Sequence, residues 1–159
     1  MVQARGMGIN FLLSVLLLVW MADIAAYFAG RALGQRFIKV KLAPSISPGK
    51  SWEGALGGAV GVMLMAVLWV QCDAQLQSDS LSLFSHLAQG GWALLVLATL
   101  FLTAMSVLGD LVESLIKRSA GVKDSSQLLP GHGGVLDRID ALVPTLPLAM
   151  MLVSSVTVI

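Results

Sequence analysis

The sequence predicts an all-α, polytopic transmembrane helical bundle whose chemistry lies in the cytosolic connections between spans. Three observations carry this. Of 159 residues, 57% are hydrophobic and only 12% charged, where a soluble domain carries about 25% charged residues. Mean hydropathy is +0.85. The apolar residues also fall into four long runs, each near the roughly 20 residues a helix needs to cross a bilayer.

The runs predict a single membrane domain over residues 1–159, with spans at about 9–30, 54–72, 92–108 and 141–159. The first follows a short basic stretch and could be mistaken for a signal peptide. It continues past a cleavable length, carries Asp23 and lacks a small-residue cleavage site, so it reads as a span. The second contains Gly54, Gly57, Gly58 and Gly61, two overlapping GxxxG pairs. In lipid such pairs signal close helix packing, because little else draws helices together.

Charge orients the bundle. The connection 31–53 holds five basic residues (Arg31, Arg36, Lys39, Lys41, Lys50) and the connection 109–140 holds four (Lys117, Arg118, Lys123, Arg138), nine of the ten in the chain. The connection 73–91 holds none, and its His86 reads as a solvated loop residue. Helix alternation puts the two basic connections on one side, and the positive-inside rule makes that side the cytoplasm. The single cysteine, Cys72, excludes an intrachain disulfide and reads as a small hydrophobe.

The connection 109–140 begins as a helix on which Asp110, Ser114 and Lys117 share a face, with Glu113 beside them. Past Gly121, the residues Pro130, Gly131, Gly133 and Gly134 form a turn able to aim N–H groups at an anion. Asp137, Arg138 and Asp140 lead into the last span. Four aspartates (Asp110, Asp124, Asp137, Asp140) without clustered Cys or His suit Mg²⁺, and Lys and Arg suit phosphate. Together they suggest a metal-bound polyphosphate; ordinary solvated ion pairs explain the composition equally well. Asp110 and Asp137 are the foremost expected ligands, with Asp124 and Asp140 next, in a two-metal site.

The connection 31–53 contains GKS, but a P-loop needs Gly where Pro44 stands. Pro44 and Pro48 make a stiff extended turn, from which Lys50, Ser45, Ser47 and Ser51 could contact phosphate. Trp52 reads as an interfacial anchor. Asp23, with Tyr27 and Gly30 on its face, either bonds Tyr27 at the interface or lines a cleft open to the cytosol; intramembrane carboxylates favour the second.

The chain resembles the phosphatidate cytidylyltransferase (CDP-diacylglycerol synthase) family. The resemblance rests on Ser114-x-x-Lys117-Arg118, Lys123-Asp124, Pro130-x-His132-Gly133-Gly134 and Asp137-Arg138-x-Asp140, with further likeness over Trp20 to Gly30 and Ser47 to Gly54. Family members are usually longer, with more N-terminal helices, so the sequence resembles their C-terminal catalytic portion. The resemblance implies an enzyme that transfers a cytidylyl group from CTP to phosphatidic acid, giving CDP-diacylglycerol and pyrophosphate with a divalent metal. It places the protein in a bacterial inner membrane, with the active site facing the cytoplasm.

The expected catalytic residues are Asp110, Lys117, Arg118, Asp124, His132, Asp137 and Asp140. Those expected to bind substrate are Asp23, Tyr27, Ser47, Lys50, Ser114, Lys117, Arg118, Lys123, His132, Gly133, Gly134 and Arg138. For His132, general base, metal ligand and hydrogen-bond donor compete. The donor role is preferred, because phosphatidate is already ionised and Mg²⁺ prefers oxygen. Expected partners are CTP, phosphatidic acid and the bilayer, with no nucleic acid; a homo-oligomer is compatible. Rival readings are a transporter, a catalytically inactive protein binding CTP and lipid, and a transferase acting on another lipid phosphate.

Overall fold

The structure is a computed structural model that describes residues 7–34, 36–76, 80–122 and 139–157. Among these residues, helices and one hairpin follow in chain order: α1 (Ile9–Leu33), β1 (Lys41–Ala43), β2 (Ser47–Ser51), α2 (Trp52–Leu76), α3 (Leu83–Gln89), α4 (Trp92–Ser119) and α5 (Leu142–Thr157). The helices α1, α2 and α4 are long and apolar enough to cross a membrane, and α5 is a shorter apolar helix. The chain is an all-α, multi-pass membrane protein with a single small hairpin among the described residues.

α1 and α2 run antiparallel in close contact, and glycine is the reason. A Cβ at Gly54 would lie 3.0 Å from the Ala26 carbonyl oxygen, and one at Gly58 would lie 2.9 Å from that of Ala22. One at Gly61 would lie 2.5 Å from the Ala25 Cβ, and one at Gly57 would collide with Ala29. The GxxxG stripe is thus used inside the chain, where backbone proximity supplies the dispersion contacts that hydrophobicity cannot supply in lipid. α4 and α5 also run antiparallel: Gly90, just before α4, faces Val156, and Gly109, late in α4, faces Pro144.

The fully buried side chains gather in the half of the bundle away from the basic connections. Phe11, Val15 and Leu18 of α1 meet Val62 and Ala66 of α2, Leu95 and Leu102 of α4, and Ala149 and Val153 of α5. α3 closes that end with Leu83, Phe84 and Leu87 at 0% exposure. Among the described residues the opposite half has no such plug, and a cavity opens there.

The connection 73–91 is more structured than its polar composition suggests. Asp73 is still within α2 and is buried. Its carboxylate accepts from Asn10 Nδ2 (2.8 Å), Ser82 N (3.2 Å) and Ser85 Oγ (2.6 Å). Trp69 Nε1 donates to Asn10 Oδ1 at 3.2 Å, completing a bridge from α1 to α2 and α3. Ser82 caps α3 by accepting from Ser85 N. His86 lies on α3 and is partly buried, and burial lowers its pKa against the opposing pull of Asp73. Cys72 is a free cysteine exposed on α2.

Candidate functional site

The site forms where the basic connections meet. α4 does not end at the boundary expected near residue 108 but continues unbroken to Ser119, because nothing between Gly109 and Ser119 interrupts its hydrogen bonding. Asp110 and Glu113, three apart, therefore stand on adjoining positions of one rigid helix. Asp140 reaches them from the start of α5. Gly109 permits this approach: a Cβ there would lie 2.7 Å from Pro144 Cγ and 2.8 Å from the Asp140 carbonyl oxygen. Asp110, Glu113 and Asp140 each offer a carboxylate oxygen, and these oxygens lie within 4.8 Å of one another.

Three carboxylates this close repel unless cations compensate, and two lysines do so. Lys50 Nζ lies 2.5 Å from Asp110 Oδ2, and Lys117 Nζ lies 2.7 Å from Glu113 Oε2. Ser114 Oγ donates to Asp110 Oδ1 at 3.3 Å. Glu113 is only 7% exposed. Burial raises the Asp140 pKa, offset in part by the Ala141 N–H, which donates to Asp140 Oδ1 at 2.6 Å, and the Asp110 charge raises it further. The three carboxylates are grouped closely enough that they could hold a metal ion. Their hard oxygen donors fit a divalent ion such as Mg²⁺.

Lys50 is delivered by the hairpin. Pro44 lies in the turn between β1 and β2, which pair antiparallel, and Lys50 follows near the end of β2. Ser51 Oγ accepts from Gly54 N at 3.1 Å and starts α2. Glu53, 7% exposed, accepts at Oε1 from Phe37 N (3.2 Å) and Ile38 N (2.8 Å). That carboxylate ties the segment entering the hairpin to the first turn of α2.

Beside this cluster lies a cavity of about 520 Å³, walled by α1, the hairpin, α2 and α4. Asp23 and Tyr27 line it together with Arg31, Lys50 and Asp110. The structure thus brings Asp23, Tyr27, Lys50, Asp110, Ser114, Lys117 and Asp140 to one end of the bundle. Tyr27 does not bond Asp23; its hydroxyl accepts from Arg31 Nη1 at 2.9 Å. Ser47 pairs with Ala43 in the hairpin and is not in the cavity wall. Arg118 is exposed in the last turn of α4. Lys117, expected on the Asp110 face, pairs with Glu113. Lys123, Asp124, His132, Gly133, Gly134, Asp137 and Arg138 lie outside the described residues.

Sequence reasoning placed Glu113 beside the site but assigned it no role. The signal was present in Asp110-x-x-Glu113, two carboxylates a helical turn apart. Arg31 was counted only as a charge that orients the bundle, and Glu53 was not singled out.

Comparison with known proteins bears on the chain as a whole. A family model described as the Cytidylyltransferase family matches residues 1–156. The chain is 49% identical over 140 residues to a phosphatidate cytidylyltransferase of Haemophilus influenzae, covering 88% of this chain and 44% of that protein. It is 46% identical over 138 residues to one of Pseudomonas aeruginosa (87% and 45%) and 41% identical over 150 residues to one of Staphylococcus epidermidis (94% and 51%). The chain spans about half the length of these relatives. With a matching profile over nearly its whole length and relatives this similar, the chain belongs to the cytidylyltransferase family.

Proposed function

We propose that the chain transfers the cytidylyl group of CTP to phosphatidic acid, giving CDP-diacylglycerol and pyrophosphate. The observation that carries this reading is the Asp110–Glu113–Asp140 cluster, set between Lys50 and Lys117 beside a cavity bounded by membrane-crossing helices. The names of the relatives support the same reaction.

The chemistry asks little of the protein in covalent terms. An oxygen of the lipid phosphate, already ionised at neutral pH, attacks the α-phosphorus of CTP. The bond from that phosphorus to the oxygen leading to the β-phosphorus breaks, and pyrophosphate leaves. The protein contributes alignment and charge compensation. Asp110, Glu113 and Asp140 would hold Mg²⁺, with Asp124 and Asp137 as further proposed ligands. When bound, the metal neutralises triphosphate and pyrophosphate charge. Lys50 and Lys117 hold phosphate oxygens, joined in this proposal by Arg118, Lys123 and Arg138. Asp23 lines the cavity together with Lys50 and Asp110 and keeps it polar. His132, between glycines, donates a hydrogen bond to phosphate. The basic end faces the cytoplasm, where CTP is available.

The test is incubation of the purified chain in detergent with radiolabelled CTP and phosphatidic acid, with and without Mg²⁺. Label should enter a lipid product only when all three are present. Absence of that product from the folded chain overturns the reading.

A further inference from the structure

The geometry points to Arg31, braced by Tyr27, as the residue that binds the phosphomonoester headgroup of the lipid substrate at the cavity wall. This rests on the proposed transfer to a lipid phosphate and adds where that phosphate enters and what selects it.

Four observations converge. First, the cavity has two cationic side chains in its wall, Lys50 and Arg31, and they are differently engaged. Lys50 is paired with Asp110. Arg31 forms no salt bridge among the described residues, and its Nη1 donates to the Tyr27 hydroxyl at 2.9 Å. Second, a guanidinium steadied by a phenol keeps its remaining N–H groups free to grip a phosphate in bidentate fashion, which a lone flexible cation does less well. Third, Arg31 lies in the last turn of α1, an apolar helix long enough to cross the membrane, so its charge sits at the depth of lipid headgroups. Fourth, the cavity wall that holds Arg31 and Asp110 also includes Ala26, Leu42, Ala55 and Val107, while Ile24 and Phe28 are exposed on α1. A ligand with one anionic end and apolar chains matches that distribution; a free nucleotide does not.

The cavity then has a direction. The lipid phosphate is received at Arg31, and the nucleotide phosphates are received at the carboxylate cluster. Lys50, in contact with Asp110 and in the same wall as Arg31, marks the junction where the two phosphates meet. A bare phosphomonoester fits between two cations, whereas a choline or ethanolamine diester brings its own cation to Arg31 and loses one anionic charge. An arginine that merely complements the C-terminal end of the α1 dipole would give no such selectivity.

The test measures binding of dihexanoyl phosphatidic acid to the detergent-solubilised chain by calorimetry, below the micelle concentration of the lipid. Glycerol 3-phosphate and dihexanoyl phosphatidylcholine are the comparison ligands, and Mg²⁺–CTP binding is measured in parallel. Wild type should bind the phosphatidic acid at least tenfold more tightly than either comparison ligand. Arg31→Gln should weaken that binding tenfold or more, Arg31→Lys should weaken it less, and both should keep Mg²⁺–CTP affinity within twofold. Unchanged lipid affinity in Arg31→Gln overturns the inference, as does an equal loss of CTP affinity. Equal binding of glycerol 3-phosphate overturns the lipid assignment in favour of a soluble phosphomonoester. The parent reading fails separately: a wild-type chain that binds the lipid through Arg31 but forms no CDP-lipid keeps the headgroup site and loses the transfer reaction.

Discussion

Lys50 Nζ stands 2.5 Å from Asp110 Oδ2, and this pair joins the hairpin before α2 to the helix that carries the carboxylates. Both side chains are only partly exposed, 25% and 31%, so the pair is screened less than a surface contact. A double-mutant cycle of Lys50→Ala and Asp110→Asn, read by thermal unfolding, should give a coupling of about 1 kcal/mol. Independent effects of the two changes would show that the contact contributes nothing to docking the hairpin. Asp110→Asn alone should lower turnover by about 100-fold, the scale of removing an electrostatic stabiliser, without loss of the folded state.

Glu113 supplies a sharper test of the carboxylate cluster, because family resemblance did not select it. Glu113→Gln keeps the shape and removes the charge. Mn²⁺ binding followed by electron paramagnetic resonance should weaken by about tenfold or more, within the range seen when groups around a metal are altered. Wild-type Mn²⁺ affinity in Glu113→Gln would remove this residue from the ligand set.

Gly58 has no room for a side chain against the Ala22 carbonyl, which a Cβ would approach to 2.9 Å. Gly58→Leu should separate α1 from α2 and lower stability by about 1–3 kcal/mol, the usual cost of overpacking. Leu64→Ala on the exposed face of α2 is the control and should change the unfolding midpoint little. Equal melting of both variants would mean that the α1–α2 contact is not built on the glycines.

At the other end, Asp73 gathers Asn10, Ser82 and Ser85. Asp73→Ala would strand their donors, and each buried unsatisfied group costs about 1–3 kcal/mol. The variant should unfold more readily in detergent, while the KM values of the molecules that remain folded stay unchanged. A change in KM for CTP with normal stability would contradict a purely architectural role.

Topology is checked at Ser45, exposed in the hairpin turn. After Cys72→Ser removes the native thiol, Ser45→Cys should react with a membrane-impermeant maleimide from the cytoplasmic side and not in intact cells. Labelling of intact cells would invert the bundle and with it the proposed access of CTP.

The membrane class was legible in the sequence because hydropathy is a sum over residues and needs no neighbours. So was the meeting of the two basic connections at one end, because charge distribution and helix alternation are both one-dimensional. Glycine spacing foretold close packing, and Asp110 and Lys50 stood out as charges in a chain with few. Tertiary structure decided what these features touch. GxxxG names a surface but not its partner, and only the fold shows that α1 fills it. The polar composition of 73–91 reads as loop, yet Asp73 is a buried anchor because Asn10, far away in sequence, folds against it. Asp140 joins Asp110 and Glu113 only because Gly109 lets α5 begin against α4. Arg31 looks like one more positive charge until the cavity beside it appears. Composition and periodicity settle which environment each segment prefers, whereas a site depends on distances between residues remote in sequence, which only the packed chain defines.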